Sequence, residues 1–159
     1  MMREDGGTAA VTTLVMLPLL LIVLVGVLEL GALRAVAYRA TAAADLATIV
    51  AVGDQDQPEL VRTGTLRLAP DAAETARDYF ARNLSSSAPV LAASAEAIAA
   101  SADVAIFPTA PGFDPRTGAR YDRPTVRLIA AVPVRTPGFA ALLLPAVTTL
   151  TIRSASSPR

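Results

Sequence analysis

The sequence contains no cysteine, no histidine and no lysine; all fourteen of its basic residues are arginine. Without thiols or imidazoles there is no thiolate nucleophile, no disulfide, no histidine base and none of the usual zinc or copper ligands. Catalysis would be left to carboxylates, hydroxyls and guanidinium groups. A formal net charge of zero also withholds the basic face that a nucleic-acid partner requires. A domain with no disulfide staples must hold by packing alone, and the missing cysteine leaves its compartment open. Arginine in place of lysine fits a codon bias, and no mechanism is drawn from it.

Charge is lacking in a second sense, because residues 8–28 carry no ionisable side chain at all. As a helix, a stretch of this length covers about 30 Å, the thickness of a bilayer's hydrocarbon core. The expected use is a membrane span. Ala35-Val36-Ala37 offers a small-x-small site for a cleaved secretory signal, yet the apolar run is longer than a signal core and is preceded by Glu4 and Asp5 rather than a basic cluster. A chain of 159 residues could hardly surround such a helix in a soluble core. The expected organisation is a polar leader at 1–7, a transmembrane and projecting helix at 8–52, an α+β domain at 53–156 and a short tail at 157–159.

Helical pattern continues past the membrane edge. Leu30, Leu33, Ala37, Ala40, Ala44, Ala47 and Ala51 recur every three or four residues, with Arg34, Tyr38, Arg39 and Asp45 off that line. Pro18 predicts a kink, since it removes a backbone donor and crowds the carbonyl of Leu14. Gly53 and Pro58 are stop signals. Asp54 and Asp56 sit in that turn without the glycine and glutamate a calcium loop needs. Leu60 to Leu68 reads as a strand or an irregular link. Asp71 with Glu74 resembles a capping box, opening a helix whose apolar face is Ala72, Ala76, Tyr79, Phe80 and Leu84. Ser85-Ser86-Ser87 closes it, and the Ala-rich run at 90–100 favours helix.

From Val104 the period changes to two. Val104 and Ile106 form a short strand, residues 108–124 carry the turn signals of a long loop, and Val126, Leu128, Ala130, Val132 and Val134 alternate, with Pro133 suggesting an edge strand. Phe139 to Leu144 is too short to cross a bilayer and predicts core or membrane-surface contact. A last strand runs through Val147 to Arg153, with Leu150 and Ile152 on one face. The sum is a long helix projecting into a small domain whose short antiparallel sheet packs on helices. No paired carboxylates, nucleophile elbow or metal cluster stands at a convincing spacing. Gly112 and Gly118 bracket a turn rather than a P-loop. Glu29 is the chemically unusual residue: a carboxylate at the end of the apolar run is either an interfacial residue near water or a polar contact that sets helix register in an assembly.

The order Gly7-Thr8-Ala9-Ala10-Val11, then Leu17-Pro18-Leu19-Leu20-Leu21, then Gly26-Val27-Leu28-Glu29-Leu30-Gly31, followed by Ala42-Ala43-Ala44-Asp45, resembles the TadE-like family, minor pseudopilins of the tight-adherence (Flp) pilus machinery. Val132-Pro133-Val134-Arg135-Thr136-Pro137 and Thr148-Thr149-Leu150-Thr151-Ile152-Arg153-Ser154-Ala155 resemble that family's outer part. The resemblance implies processing between Gly7 and Thr8 by a prepilin peptidase, and a domain outside the cytoplasmic membrane on a single-pass anchor. It further implies packing through Pro18, Gly26, Glu29 and Gly31 against other pilus-assembly proteins. It departs at Thr12 and Thr13, where such pseudopilins carry glutamate and then an aromatic. Arg34 and Arg39 outnumber Arg3 across the span, a bias toward the opposite orientation. The expectation is a non-enzymatic assembly component that touches membrane lipid and protein partners. It would use no cofactor or metal, bind no nucleic acid and take no small-molecule substrate. The alternative is a secreted or membrane-anchored envelope binding protein unrelated to pili.

Overall fold

The computed structural model describes residues 5–158, with side chains from residue 11 onward. It begins with α1 (Asp5–Gly53), one helix of 49 residues, about 74 Å long at the usual rise. Alanine and unbranched residues dominate its second half, and nothing there interrupts the hydrogen-bond ladder. Pro18 lies inside it and the helix continues on both sides.

The two ends of α1 meet different surroundings. Every residue from 11 to 24 is exposed, whichever way it points. From Leu33 on, one side is buried: Val36, Ala40, Ala43, Ala44, Ala47, Thr48, Ala51 and Val52. The buried stripe is turned slightly from the expected one. Leu30 is exposed and Ala37 half-buried, while Val36 and Ala43 take the inner places. Alanine at nearly every turn makes several frames almost equally apolar, and the larger Val36 gains more by burial than Ala37 would.

The buried stripe packs on a three-stranded antiparallel sheet of β1 (Asp103–Phe107), β4 (Thr125–Arg135) and β5 (Val147–Ser156), with β4 in the middle. Val126, Leu128, Ala130, Val132 and Val134 point from β4 into the core. There they meet α1, Phe80 and Leu84 of α3 (Ala72–Leu84), and Ile98 and Ala99 of α4 (Ala95–Ser101). The protein is therefore a mixed α and β fold: one long apolar N-terminal helix, and a small sheet covered on one face by helices.

Several local expectations are corrected. Of Leu60 to Leu68, residues 60–63 belong to a short helix, α2 (Gln57–Thr63), capped by the Asp56 carboxylate accepting from the Glu59 amide, while 64–68 form the irregular link, with an isolated bridge from Leu68 to Gln55; Pro58 at the start of α2 already has the φ a first turn needs. Asp71 occupies the N-cap of α3 but makes no side-chain capping bond. Tyr79 turns out of the α3 face and lies under the Arg82 guanidinium, 5.6 Å from the ring centroid. A 3-10 turn (Ser85–Val90) follows α3, so α4 begins only at Ala95, where Ser94 caps it. Pro133 sits in the central strand, not at an edge. β1 ends its pairing at Ile129, so beyond it the Pro133 side of β4 faces Leu91 and Ala92, whose amide donates to the Pro133 carbonyl. The ladder donor that proline lacks is on the side where β1 has already stopped.

Candidate functional site

The seam between α1 and the domain is polar at both ends. Far from the apolar run, the buried Thr48 hydroxyl contacts Ser154 Oγ at 3.0 Å and Ser156 Oγ at 2.8 Å, and Ser154 donates to Asp45 Oδ1 at 2.6 Å. At the other end, Glu29 Oε2 accepts from the Gly138 amide at 3.1 Å. Gly138 opens α5 (Pro137–Ala141). A Cβ there would fall 2.5 Å from that oxygen and 3.1 Å from Val25 Cγ1, so only glycine lets the loop approach this closely.

The remaining expected site residues are placed as follows. Gly7 and Thr8 lie on helical backbone in the first turn of α1; the Thr8 side chain is outside the described residues. Pro18 and Gly31 are exposed and Gly26 is half-buried, and a Cβ on Gly26 or Gly31 would touch nothing within 4 Å. Among the described side chains of this set, Glu29 is held from within the chain by the Gly138 amide. Its place between helix and domain follows from being a carboxylate at the end of the uncharged run, where an amide can reach it.

A second cluster, which sequence reasoning passed over as a turn, lies on the outer face of the sheet. Strands β2 (Gly112–Phe113) and β3 (Arg120–Tyr121) make a small hairpin whose tip, residues 114–118, folds over β4. Asp114 accepts from the Arg116 amide and the Thr117 hydroxyl, while Gly118 closes the turn at φ +73°, a backbone shape suited to glycine. Asp114 is only 1% exposed, yet Arg127 stands beside it with Nε at 2.8 Å. That Nε is not aligned for a hydrogen bond, so proximity of charge holds the pair. Arg127 also reaches Asp103 Oδ2 at 2.9 Å, where Arg116 adds a second contact at 2.6 Å.

The carboxyls respond to these neighbours. Asp103 is held below the ordinary range, chiefly by the hydrogen bond from Arg127 and against the cost of partial burial, with the charges of Arg127 and Arg116 adding to the effect. For Asp114 burial pushes upward, but the Thr117 hydroxyl, the Arg116 amide and the Arg127 charge together outweigh it, and the group is also lowered. The Asp114 oxygens are taken up by these donors, so the cluster is a clasp between hairpin and sheet. The signal in the sequence was Asp114-Pro115-Arg116-Thr117-Gly118, an Asp whose side chain bonds the backbone two residues on.

Among the described residues no group of three or more acidic side chains is placed to hold a metal ion. An open cavity of about 530 Å³ is lined by Pro89, Val90, Ala92, Arg135, Pro137 and Val147; its lining is mainly apolar with one cation. Among the described residues one helix is long and apolar enough to cross a membrane, and none of its most apolar window is buried by the rest of the chain. No family model, curated protein or solved structure matches the chain.

Proposed function

We propose that the protein is a non-enzymatic, single-pass membrane protein of the TadE-like kind, a structural or assembly component of a Tad-type pilus, with its domain outside the cytoplasmic membrane. The observation that carries this reading is the division of one continuous helix into an apolar half exposed on every side over residues 11–24 and a second half built into a domain. A helix that is apolar all round requires lipid or other helices.

The side of α1 turned away from the domain supports partner helices in particular. Gly31, Ala35, Tyr38, Ala42, Leu46 and Ile49 are exposed at helical spacing, a small and apolar stripe continuous with the span. Partner helices would meet this stripe and Pro18, Gly26 and Gly31. Glu29, already held by Gly138, fixes how the domain stands on the helix.

The N-terminus of the protein recovered from its native membrane, read by intact mass, tests this. A start at Thr8 is expected of a processed pseudopilin, despite Thr12 and Thr13. A start at Met1 or Met2 moves the reading to a permanently anchored accessory protein, and a start near Tyr38 overturns the membrane anchor. The apolar cavity beside Arg135 favours the second reading, an envelope binding protein; release of a soluble chain cut after Ala37 would select it.

A further inference from the structure

We propose that residues 137–147 form a second membrane contact, an apolar foot by which the domain rests on the lipid surface beside its own anchor. This rests on α1 spanning the membrane and not on any role in a pilus.

The foot begins as an oddity of surface chemistry. Leu143 is 97% exposed, Leu144 52% and, at the start of β5, Val147 45%, in a stretch with no charged residue between Arg135 and Arg153. The loop is tightly bonded: the amides of Leu142 and Leu144 donate to the Phe139 carbonyl and that of Leu143 to Ala140. Within it Leu143 takes φ +61°, a left-handed shape that residues other than glycine, asparagine and aspartate avoid. A leucine held in that shape with its side chain pointing away from the protein gains nothing from its own chain. Strained, outward-facing positions of this kind concentrate at functional contacts, and adjoining exposed apolar side chains mark interaction surfaces.

Two independent rulers place this loop at the membrane. The first is direct: Gly138 packs on Glu29 and Val25, the last turns of the uncharged run. The second follows the seam. Ser154 meets Thr48, and Val147 lies seven residues earlier on β5, about 24 Å down the strand. Glu29 lies nineteen residues before Thr48, about 28 Å down the helix. Both measures bring the foot to the level where the span ends. Arg135, paired with Val147 across the ladder, stands at the same level and is exposed, a cation suited to lipid phosphates. Apolar side chains entering the headgroup boundary with a cation beside them are the usual signature of an interfacial contact.

The sequence has no tryptophan, so a single introduced one reports its own surroundings. Leu143→Trp, Leu20→Trp and Val61→Trp full-length proteins are reconstituted in phosphatidylcholine–phosphatidylglycerol vesicles with and without bromine on the acyl chains. Leu20 marks the span, and Val61 is an exposed position on α2, 87% accessible. Blue-shifted emission and marked loss of intensity in brominated lipid are expected for Leu143→Trp and Leu20→Trp, with neither for Val61→Trp. If Leu143→Trp behaves like Val61→Trp while Leu20→Trp is quenched, the foot is wrong and the span stands. If Leu20→Trp is not quenched, the span fails and the foot with it. A Leu143→Trp blue shift without quenching, lost as protein is diluted in lipid, would mean that a second copy covers the loop, which also overturns the proposal. Leu144→Trp repeats the measurement away from the position at positive φ.

Discussion

The two halves of α1 are both apolar and both helical, but they are built from side chains of different size. The first half carries leucine, valine, isoleucine and methionine on every side, exposed throughout residues 11–24. The second carries alanine on the buried side, with Ala40, Ala44, Ala47 and Ala51 fully covered. Size thus separates an exposed apolar surface, which the proposed span would give to lipid, from one made for close approach to a sheet. Large side chains all round leave no groove for a strand, whereas alanine lets β4 and β5 lie near the helix axis.

Substitutions sharpen that contrast because only the second half and its domain should respond in folding stability. The largest loss is expected away from the helix, at the clasp that the domain half supports. Asp114→Ala takes away one of the two carboxylates beside Arg127, whose side chain is only 6% exposed, and leaves the Arg116 amide and Thr117 hydroxyl without their acceptor; with Asp103 still paired to Arg127, the loss is about 3 kcal/mol. Pulse proteolysis of the full chain in nanodiscs would show it as a lowered denaturant midpoint, with the anchor still resisting alkaline extraction. Next, Ala44→Leu inserts three carbons into the sealed α1 stripe and should cost about 1–3 kcal/mol. The same assay on Leu24→Ala, in the exposed half, should show no change in the domain.

A smaller effect is expected where the halves meet. Glu29→Ala removes the acceptor of the Gly138 amide, and for a half-buried charged hydrogen bond the loss is about 1 kcal/mol. Hydrogen exchange should report it as faster exchange confined to 137–144. The smallest concerns pH. Asp103 and Asp114 are both lowered in the folded protein, so their contribution is present above the ordinary aspartate value of about 4 and disappears as pH falls through their folded values. Stability measured downward from pH 5 should therefore fall, and Asp103→Asn should flatten the slope.

The regular features were legible because they rest on periodicity. The uncharged run, the alternation at Val126 to Val134 and the face of Ala72, Ala76, Phe80 and Leu84 each follow from burial on one side of a repeating element. Tyr79 misled because a tyrosine at the edge of an apolar face can instead stack under an arginine. Pro133 misled because the length of β1, which decides whether the proline side of β4 needs a donor, is not written near Pro133. The Asp103–Arg127–Asp114 clasp joins residues far apart in sequence, and only the fold brings them together. Glu29 was legible as unusual; that its partner is Gly138, 109 residues away, was not.

The division of α1 is tested most directly by cysteine scanning, since the chain has no thiol of its own. Single-cysteine proteins at Leu20, Leu24, Tyr38, Ala44 and Leu46 would be purified, reconstituted as monomers in nanodiscs away from partner proteins, and treated with a water-soluble maleimide. Labelling is expected at Tyr38 and Leu46, which face away from the domain. It should be absent at Ala44, sealed by the sheet, and at Leu20 and Leu24, which the chain leaves exposed and only lipid can then cover. Equal labelling at Leu24 and Tyr38 would contradict the account, because the apolar half would then lie in water.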